Sequence, residues 1–149
     1  PDGHSFISEG ALSAALHAKQ EMLASAGVSS HASTQMCFDP GAISAWLQRE
    51  REMGLTIPIH LGIPGAVDRA KLLSIGARLG VGASLRFLRK NRSTVTRLFS
   101  PGGYDPNKLL APLSSVLEPL GISGLHIFTF NQIEKTEAWR RSTLDIGNK

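Results

Sequence analysis

The sequence has little of what marks several specialised classes of protein. Its 149 residues include one cysteine, so no disulfide can form within the chain. No apolar run approaches the ~20 residues that cross a bilayer, and the polar opening PDGHSF is not a signal-peptide pattern. The five histidines show no metal-ligand spacing with one another or with Cys37. These absences predict a cytoplasmic protein without a membrane partner, a disulfide or a metal.

The residues that are present have a globular balance, with 42% hydrophobic, 19% charged and a net charge of +4. Part of the positive excess lies in the stretch SLRFLRKNRSTVTRLF, which contains Arg86, Arg89, Lys90, Arg92 and Arg97. This basic cluster is typical of a solvated helix face, and it could also meet a phosphate or carboxylate of a ligand. Nucleic acid is not an expected partner, because no aromatic platform accompanies the charges.

Helical and strand-like patterns alternate along the chain. The predicted strands are HASTQMCF (31–38), LTIPIHLGIPG (55–65) and GLHIFTFN (124–131). The predicted helices are 9–27, 41–54, 66–80, 83–91, a broken stretch over 107–121, and 133–144, and SPGGYDPN (100–107) is predicted as a loop. Ser8 and Asp39 are expected to cap the first two helices, with Pro40 at a first helical position.

Three strands separated by helices are typical of βαβ units in a parallel sheet. A complete (β/α)₈ barrel typically takes ~250 residues, so the pattern predicts an α/β fold that is the carboxyl-terminal part of such a barrel. Residues 1–149 would then be one incomplete domain. An incomplete barrel exposes sheet edges, and we therefore expect association with the missing amino-terminal half or with a second copy.

In such barrels the reactive side chains follow the carboxyl ends of the strands. Gln35 and His60 are predicted at the ends of the first and second strands, and Asn131 just after the third. A side-chain amide offers a donor and an acceptor, which suits the edge of a flat heterocycle. Gln35 could equally satisfy neighbouring backbone groups, and His60 could be a structural donor rather than an acid, base or ligand.

Other candidate features are weaker. Cys37 lies between Met36 and Phe38 and is expected to be a packed small hydrophobe. Gly80-Val81-Gly82 lacks the third glycine and the preceding strand of a dinucleotide fingerprint. LGIPG (61–65) either brings backbone close to a ligand or is a plain turn after the second strand.

The order TQMCFDP, PIHLGIPG and GLHIFTFNQIE, with PDGH at the start, resembles the carboxyl-terminal half of methylenetetrahydrofolate reductases. GVGASLRFLRKN is most similar to an actinobacterial branch of that family. The resemblance implies a (β/α)₈ barrel that reduces 5,10-methylenetetrahydrofolate to 5-methyltetrahydrofolate with NAD(P)H, in many members through FAD.

The resemblance also implies roles for individual residues. It assigns Gln35 to the pterin, and Gln132 beside Asn131 to the glutamate tail of the folate, with Lys71 or Arg69 near another tail position.

On the cofactor side the resemblance assigns His4, with Lys19 as a possible phosphate partner, and His60 lies in the family's turn region. Ile75 stands near a position that is aromatic in flavin-stacking members, and no Asp matches the ribose position, so hydride could pass directly from NAD(P)H to folate.

The acid that assists the folate is expected on strands outside this chain, so residues 1–149 alone should have little or no reductase activity. Two alternatives are another (β/α)₈ enzyme with a phosphate-bearing substrate, and a non-catalytic module that binds anions.

Overall fold

A computed structural model describes residues 3–4, 6–68, 70–72, 74, 99–100 and 103–147. Its helices are α1 (Glu9–Ser25), α2 (Pro40–Glu52), α3 (Pro106–Leu110) and α4 (Ile133–Gly147), with a 3₁₀ turn at Ala111–Leu113. Its strands are β1 (Ala32–Ser33), β2 (Ile59–Pro64), β3 (Phe99–Ser100), β4 (Gly103–Tyr104) and β5 (Ile122–Phe128). Residues 70–72 and 74 are also helical.

The main sheet has the order β1-β2-β5, and both pairings are parallel. Ser33 is opposite His60, and Ile63 is opposite Ile127. The register between β2 and β5 shifts at Ile59/His60. A helix separates β1 from β2, and helical segments separate β2 from β5, so the predicted mixed α/β fold with a small parallel sheet is confirmed.

The chain enters α1 and α2 through the caps that the sequence predicts. Ser8 accepts a hydrogen bond from the backbone N–H of Ala11, and Asp39 accepts from Gly41 and Ala42. Pro40 occupies the first turn of α2, where its missing N–H costs nothing. Gly27 has φ +64° just after α1, a conformation that glycine adopts without strain.

The core gathers around β2. Ile59, Leu61 and Ile63 of this strand are fully buried, and so are Ile43 and Leu47 of α2. Beyond these five, the core cluster among the described residues contains Met36, Cys37, Phe38, Leu55, Val67, Leu72, Tyr104, Leu109 and Leu113. Cys37 is therefore a packed core residue, as its flanking residues predict.

Arg51 ties the end of α2 to two neighbouring segments. Its guanidinium donates to the carbonyl oxygens of Leu55 and Ile57 at 2.6 and 3.0 Å, and to those of Leu120 and Gly121 at 2.8 and 3.2 Å. Partial burial lowers the pKa of Arg51. One side chain thereby holds the chain that leads into β2 against the turn that leads into β5.

Three expectations about the strands are wrong in detail. The first strand covers only Ala32–Ser33 of the predicted 31–38, although the N–H of Thr34 still donates to the carbonyl oxygen of His60 on β2. LGIPG is not a turn after the second strand, because β2 continues to Pro64. SPGGYDPN is not wholly a loop, because Gly103–Tyr104 pairs in antiparallel fashion with Phe99–Ser100. Within the described ranges, no helix is long and apolar enough to cross a membrane.

Candidate functional site

The carboxyl ends of the three parallel strands meet at one edge of the sheet. The chain after β1 leads to Gln35, the chain after β2 to Asp68 and Lys71, and the chain after β5 to Asn131 and Gln132. Because the strands are parallel, these positions share one edge even though they lie up to about 100 residues apart in sequence. We call it the carboxyl edge.

Gln35 displays its amide at this edge. It is exposed, whereas its neighbours Thr34 and Met36 are buried. Thr34 Oγ1 accepts a hydrogen bond of 2.8 Å from the backbone N–H of Gly62, which anchors the segment to β2. Gln35 Oε1 accepts from its neighbour's N–H at 3.0 Å, and Nε2 has no hydrogen-bond partner among the described residues. The amide therefore keeps a free donor and a second acceptor lone pair for a ligand.

Close packing of backbones explains why Gly62 stands where it does. A Cβ atom at this position would lie 2.2 Å from the carbonyl oxygen of Thr34 and 2.9 Å from the carbonyl carbon of Gln35. Only glycine lets the segment after β1 approach β2 so closely. The glycine of LGIPG thus brings the segment that carries Gln35, rather than a ligand, onto the strand.

His4 lies on the same cavity as Gln35. The cavity has a volume of about 340 Å³ and is bounded by α1, by residues 32–35 and by α2. We call it the α1 groove. His4 Nδ1 accepts a hydrogen bond of 3.2 Å from the N–H of Phe6, and the ring is otherwise exposed. The resemblance implies different ligands for these two residues, the folate for Gln35 and the cofactor for His4, and both residues line one cavity.

A second polar cluster joins the segment after β2 to the start of α4. Gln132 Nε2 donates to Asp68 Oδ2 at 2.7 Å, and Gln132 Oε1 accepts from the Asp68 N–H at 3.1 Å. Lys135 donates to Asp68 Oδ1 at 2.5 Å. The hydrogen bond from Lys135, and then that from Gln132, holds the pKa of the Asp68 carboxyl below its ordinary value, with a smaller contribution from the charge of Lys71. Both ends of the Gln132 amide are thus used within the protein.

Asn131 differs from its neighbour Gln132. It is exposed, adopts a left-handed backbone conformation with φ +58°, and follows Phe130 with φ +50°. Two successive residues of this kind are uncommon without glycine and turn the chain sharply between β5 and α4. Within the described ranges its side chain makes no hydrogen bond, so Asn131 offers an amide to the surroundings while Gln132 holds the turn.

Two of the predicted cofactor residues lie away from the carboxyl edge. His60 is the second residue of β2, not its end, so it lies ~13 Å from Pro64. Its ring stacks on His31 with a centroid distance of 4.0 Å. Lys19 is ten residues into α1 and therefore ~15 Å from the helix start beside His4. The prediction that His60 lies at a strand end is wrong, and His4, Lys19 and His60 lie on separate parts of the fold.

Glu50 is a buried acidic residue of α2. It is 1% exposed and lines the α1 groove, although its chain neighbours Arg49 and Arg51 are basic residues of the last turn of α2. Its Oε2 accepts from Ser13 Oγ at 2.7 Å and contacts His17 Nε2 at 3.2 Å. The signal was present in the sequence, because Ile43, Leu47 and Glu50 are spaced i, i+4, i+7 on one helix face.

Several candidates lie outside the described residues: Arg69, Ile75, the glycines at 80 and 82, and the basic cluster. In the described part of the chain, no group of three or more His, Cys, Asp or Glu residues could hold a metal ion. No known protein-family model matches the chain.

Proposed function

We propose that this chain is the carboxyl-terminal part of a (β/α)₈ barrel that reduces 5,10-methylenetetrahydrofolate to 5-methyltetrahydrofolate with NAD(P)H. The observation that carries the proposal is the exposed amide of Gln35 at the carboxyl edge. The neighbours of Gln35 are packed. Its Oε1 atom accepts one hydrogen bond, and its Nε2 donor has no partner among the described residues. Such an amide suits the pterin ring, which carries donors and acceptors side by side along one edge.

Further support comes from the arrangement of the other candidates. Asn131 offers a second amide at the same edge, two strands away from Gln35. Lys71 is half-buried beside Asp68, and a cation at the carboxyl edge suits the negatively charged tail of a folate. Gln132 acts by holding Asp68 in place, so its role toward the substrate is that of a positioning residue.

FAD fits the described residues less well than folate does. The three cofactor candidates are separated along the fold, and only His4 lies near the carboxyl edge. The hydride donor is NAD(P)H in either case, and the protein contributes position and electrostatics. The assay below distinguishes a route through FAD from direct hydride transfer.

The assay is folate-dependent oxidation of NADH by the parent protein, meaning the polypeptide that extends upstream of Pro1, with and without added FAD. Gln35→Ala should lower kcat/KM about 10- to 100-fold, because a hydrogen bond to a buried polar ring is lost. Gln48→Ala is the matched control, since Gln48 is exposed on α2, and it should leave kcat/KM unchanged. Residues 1–149 alone should show little or no turnover.

Oxidation that tracks FAD would support a flavin route, and oxidation indifferent to FAD would support direct transfer. If the parent protein oxidises no NADH in the presence of the folate under either condition, the proposal is wrong.

A further inference from the structure

Glu50 presents one carboxylate oxygen without a hydrogen-bond donor at the wall of the α1 groove. Its side chain is 1% exposed. Its Oε2 accepts from Ser13 Oγ at 2.7 Å and contacts His17 Nε2 at 3.2 Å, but its Oε1 makes no hydrogen bond among the described residues. A carboxylate oxygen in a nearly buried side chain needs a donor. The groove therefore offers an acceptor to a ligand that carries an N–H or O–H group.

The charges around the groove favour a cationic donor. Among the described residues that line it, two are carboxylates, Glu9 and Glu50, and one is a guanidinium, Arg49. Arg49 is 3.8 Å from Glu9 and 3.7 Å from Glu50 Oε1, so neither contact is a hydrogen bond. Its side chain is 48% exposed and is screened by water. The lining thus keeps an excess of negative charge, and a charge-assisted hydrogen bond is stronger than a neutral one.

The remaining wall of the groove is apolar and suits a small organic body. Leu12, Leu16 and Trp46 line it, and Leu16 and Trp46 also pack against the core, which holds this side of the groove in place. The volume of about 340 Å³ lies at the lower end of the range of small-molecule pockets. A molecule with one ring and a short chain matches this space. A metal ion is a poorer match, because the described part of the chain has no group of three or more His, Cys, Asp or Glu residues that could hold one.

We propose that the α1 groove binds a small organic cation, a primary ammonium carried on an aromatic or branched apolar body. The ammonium donates to Glu50 Oε1, and the apolar body packs against Leu12, Leu16 and Trp46. Ser13 and His17 hold the Glu50 carboxylate from its other oxygen. The inference goes beyond the proposed function, since it needs neither folate nor NAD(P)H nor any strand outside residues 1–149.

Titration of three matched probes into residues 1–149, followed by NMR, tests the proposal. The probes are phenethylammonium, phenethyl alcohol and phenylpropionate, which share an apolar body and differ in the charge of the polar end. Phenethylammonium should bind with a Kd on the order of 1 mM, as expected for so small a molecule. It should bind about 10-fold more tightly than the alcohol, because its hydrogen bond to Glu50 is charge-assisted, and phenylpropionate should not bind.

The two tryptophans of the chain report where the probe binds. The indole N–H signal of Trp46 should shift as phenethylammonium is added. The signal of Trp139, which does not line the groove, is the internal control. Equal affinity for the ammonium and the alcohol, tighter binding of phenylpropionate, or an unmoved Trp46 signal would overturn the proposal.

Variants of the groove provide a second test. Glu50→Gln keeps the shape of the side chain and removes its charge, so it should weaken phenethylammonium binding about 10-fold. Glu52→Gln is the matched control, since Glu52 is exposed on α2, and it should leave the affinity unchanged.

Leu12→Ala leaves the contacts of Glu50 in place and keeps the test decisive if Glu50→Gln fails to fold. Leu12 is 37% exposed, so the fold should persist, and the affinity should fall about 3-fold because part of the apolar wall is lost. Unchanged affinity in Leu12→Ala, or in a folded Glu50→Gln variant, would contradict the proposed site.

The two proposals can fail separately. Binding of phenethylammonium to residues 1–149, with no folate turnover by the parent, would leave the cation site and remove the function. Folate turnover by the parent, with no binding of phenethylammonium, would do the reverse.

Discussion

α1 and α2 are two helices with side-chain N-caps that both border the α1 groove, and they are attached to the rest of the fold in different ways. α2 buries Ile43, Leu47 and Glu50, whereas α1, which is four residues longer, buries none. α1 is held mainly through polar side chains. Ser13 and His17 reach Glu50, and one further residue, Gln20, accepts from the N–H groups of Thr56 and Ile57 at 2.6 and 3.0 Å.

The difference shows which of the two helices is packed into the core. Apolar burial is non-directional and scales with the area removed from water. A helix whose apolar side chains are buried therefore has neighbours that cover them. Polar tethers fix the position of a helix but do not by themselves require that its apolar side is covered. α2 is therefore packed into the core around β2, whereas α1 contacts that core through Leu16 and is otherwise held by polar side chains.

The largest difference in stability between the two helices is expected when one leucine of each helix is truncated to alanine. Leu47→Ala in α2 should cost about 2–5 kcal/mol of unfolding free energy, because the side chain is fully buried. Leu12→Ala in α1 should cost less than about 1 kcal/mol in residues 1–149 alone, since Leu12 is 37% exposed. Urea unfolding measures both, and equal losses would contradict the contrast between the helices.

A pair of glycine substitutions should have opposite signs. Gly62→Ala places a Cβ against the backbone of Thr34 and Gln35 and should destabilise the chain by about 1–3 kcal/mol or more. Gly10→Ala, in the first turn of α1, meets nothing within 4 Å and should stabilise by about 0.5–1 kcal/mol. Thermal unfolding of the two variants against the original chain checks the signs. A neutral Gly62→Ala would mean that the segment after β1 is not packed on β2.

The smallest effect concerns charges on α4. Hydrogen bonds from Arg140, and then from Arg141, lower the pKa of Glu137 to about 2. Because the folded pKa lies below the unfolded one, the contribution is fully present above the unfolded pKa of ~4.3 and is lost as the pH falls through about 2.

Glu137→Gln should therefore be slightly less stable than the original chain at pH 7, and the difference should shrink as the pH falls below 4 and as salt is added. Glu21→Gln, which removes an exposed carboxylate of α1 without an ion pair among the described residues, is the control for loss of a surface charge. If the stability difference between Glu137→Gln and the original chain persists at the lowest pH, the effect comes from packing rather than from charge.

Much of this architecture follows from local signals in the sequence. The spacing of Ile43, Leu47 and their neighbours, the caps at Ser8 and Asp39, and the apolar runs of β2 and β5 predict the elements and their order. Parallel pairing follows because helices separate the strands. The strand limits around Gln35 could not be predicted, because they depend on how close the segment after β1 comes to Gly62.

The site is less predictable than the fold. The rule that reactive side chains follow the carboxyl ends of the strands predicts Gln35 and Asn131 at one edge, where the structure has them. The same rule places His60 at the wrong end of β2. It also misses Glu50 and Gln20, since a charged or amide side chain on a helix is expected to face solvent until its partner is known. The spacing of Glu50 with Ile43 and Leu47 indicates its burial, but its partner is not encoded locally. Ser13 and Thr56 are 37 and 36 residues away from Glu50 and Gln20.

The most direct test of the central claim is equilibrium binding of 5-methyltetrahydrofolate to the parent protein, measured by calorimetry without NAD(P)H. The account predicts saturable binding to the parent, about 10- to 100-fold weaker binding to Gln35→Ala because the amide hydrogen bonds are lost, and unchanged binding to Gln48→Ala. Equal affinity of the parent and the Gln35→Ala variant, or no binding to the parent, would contradict it.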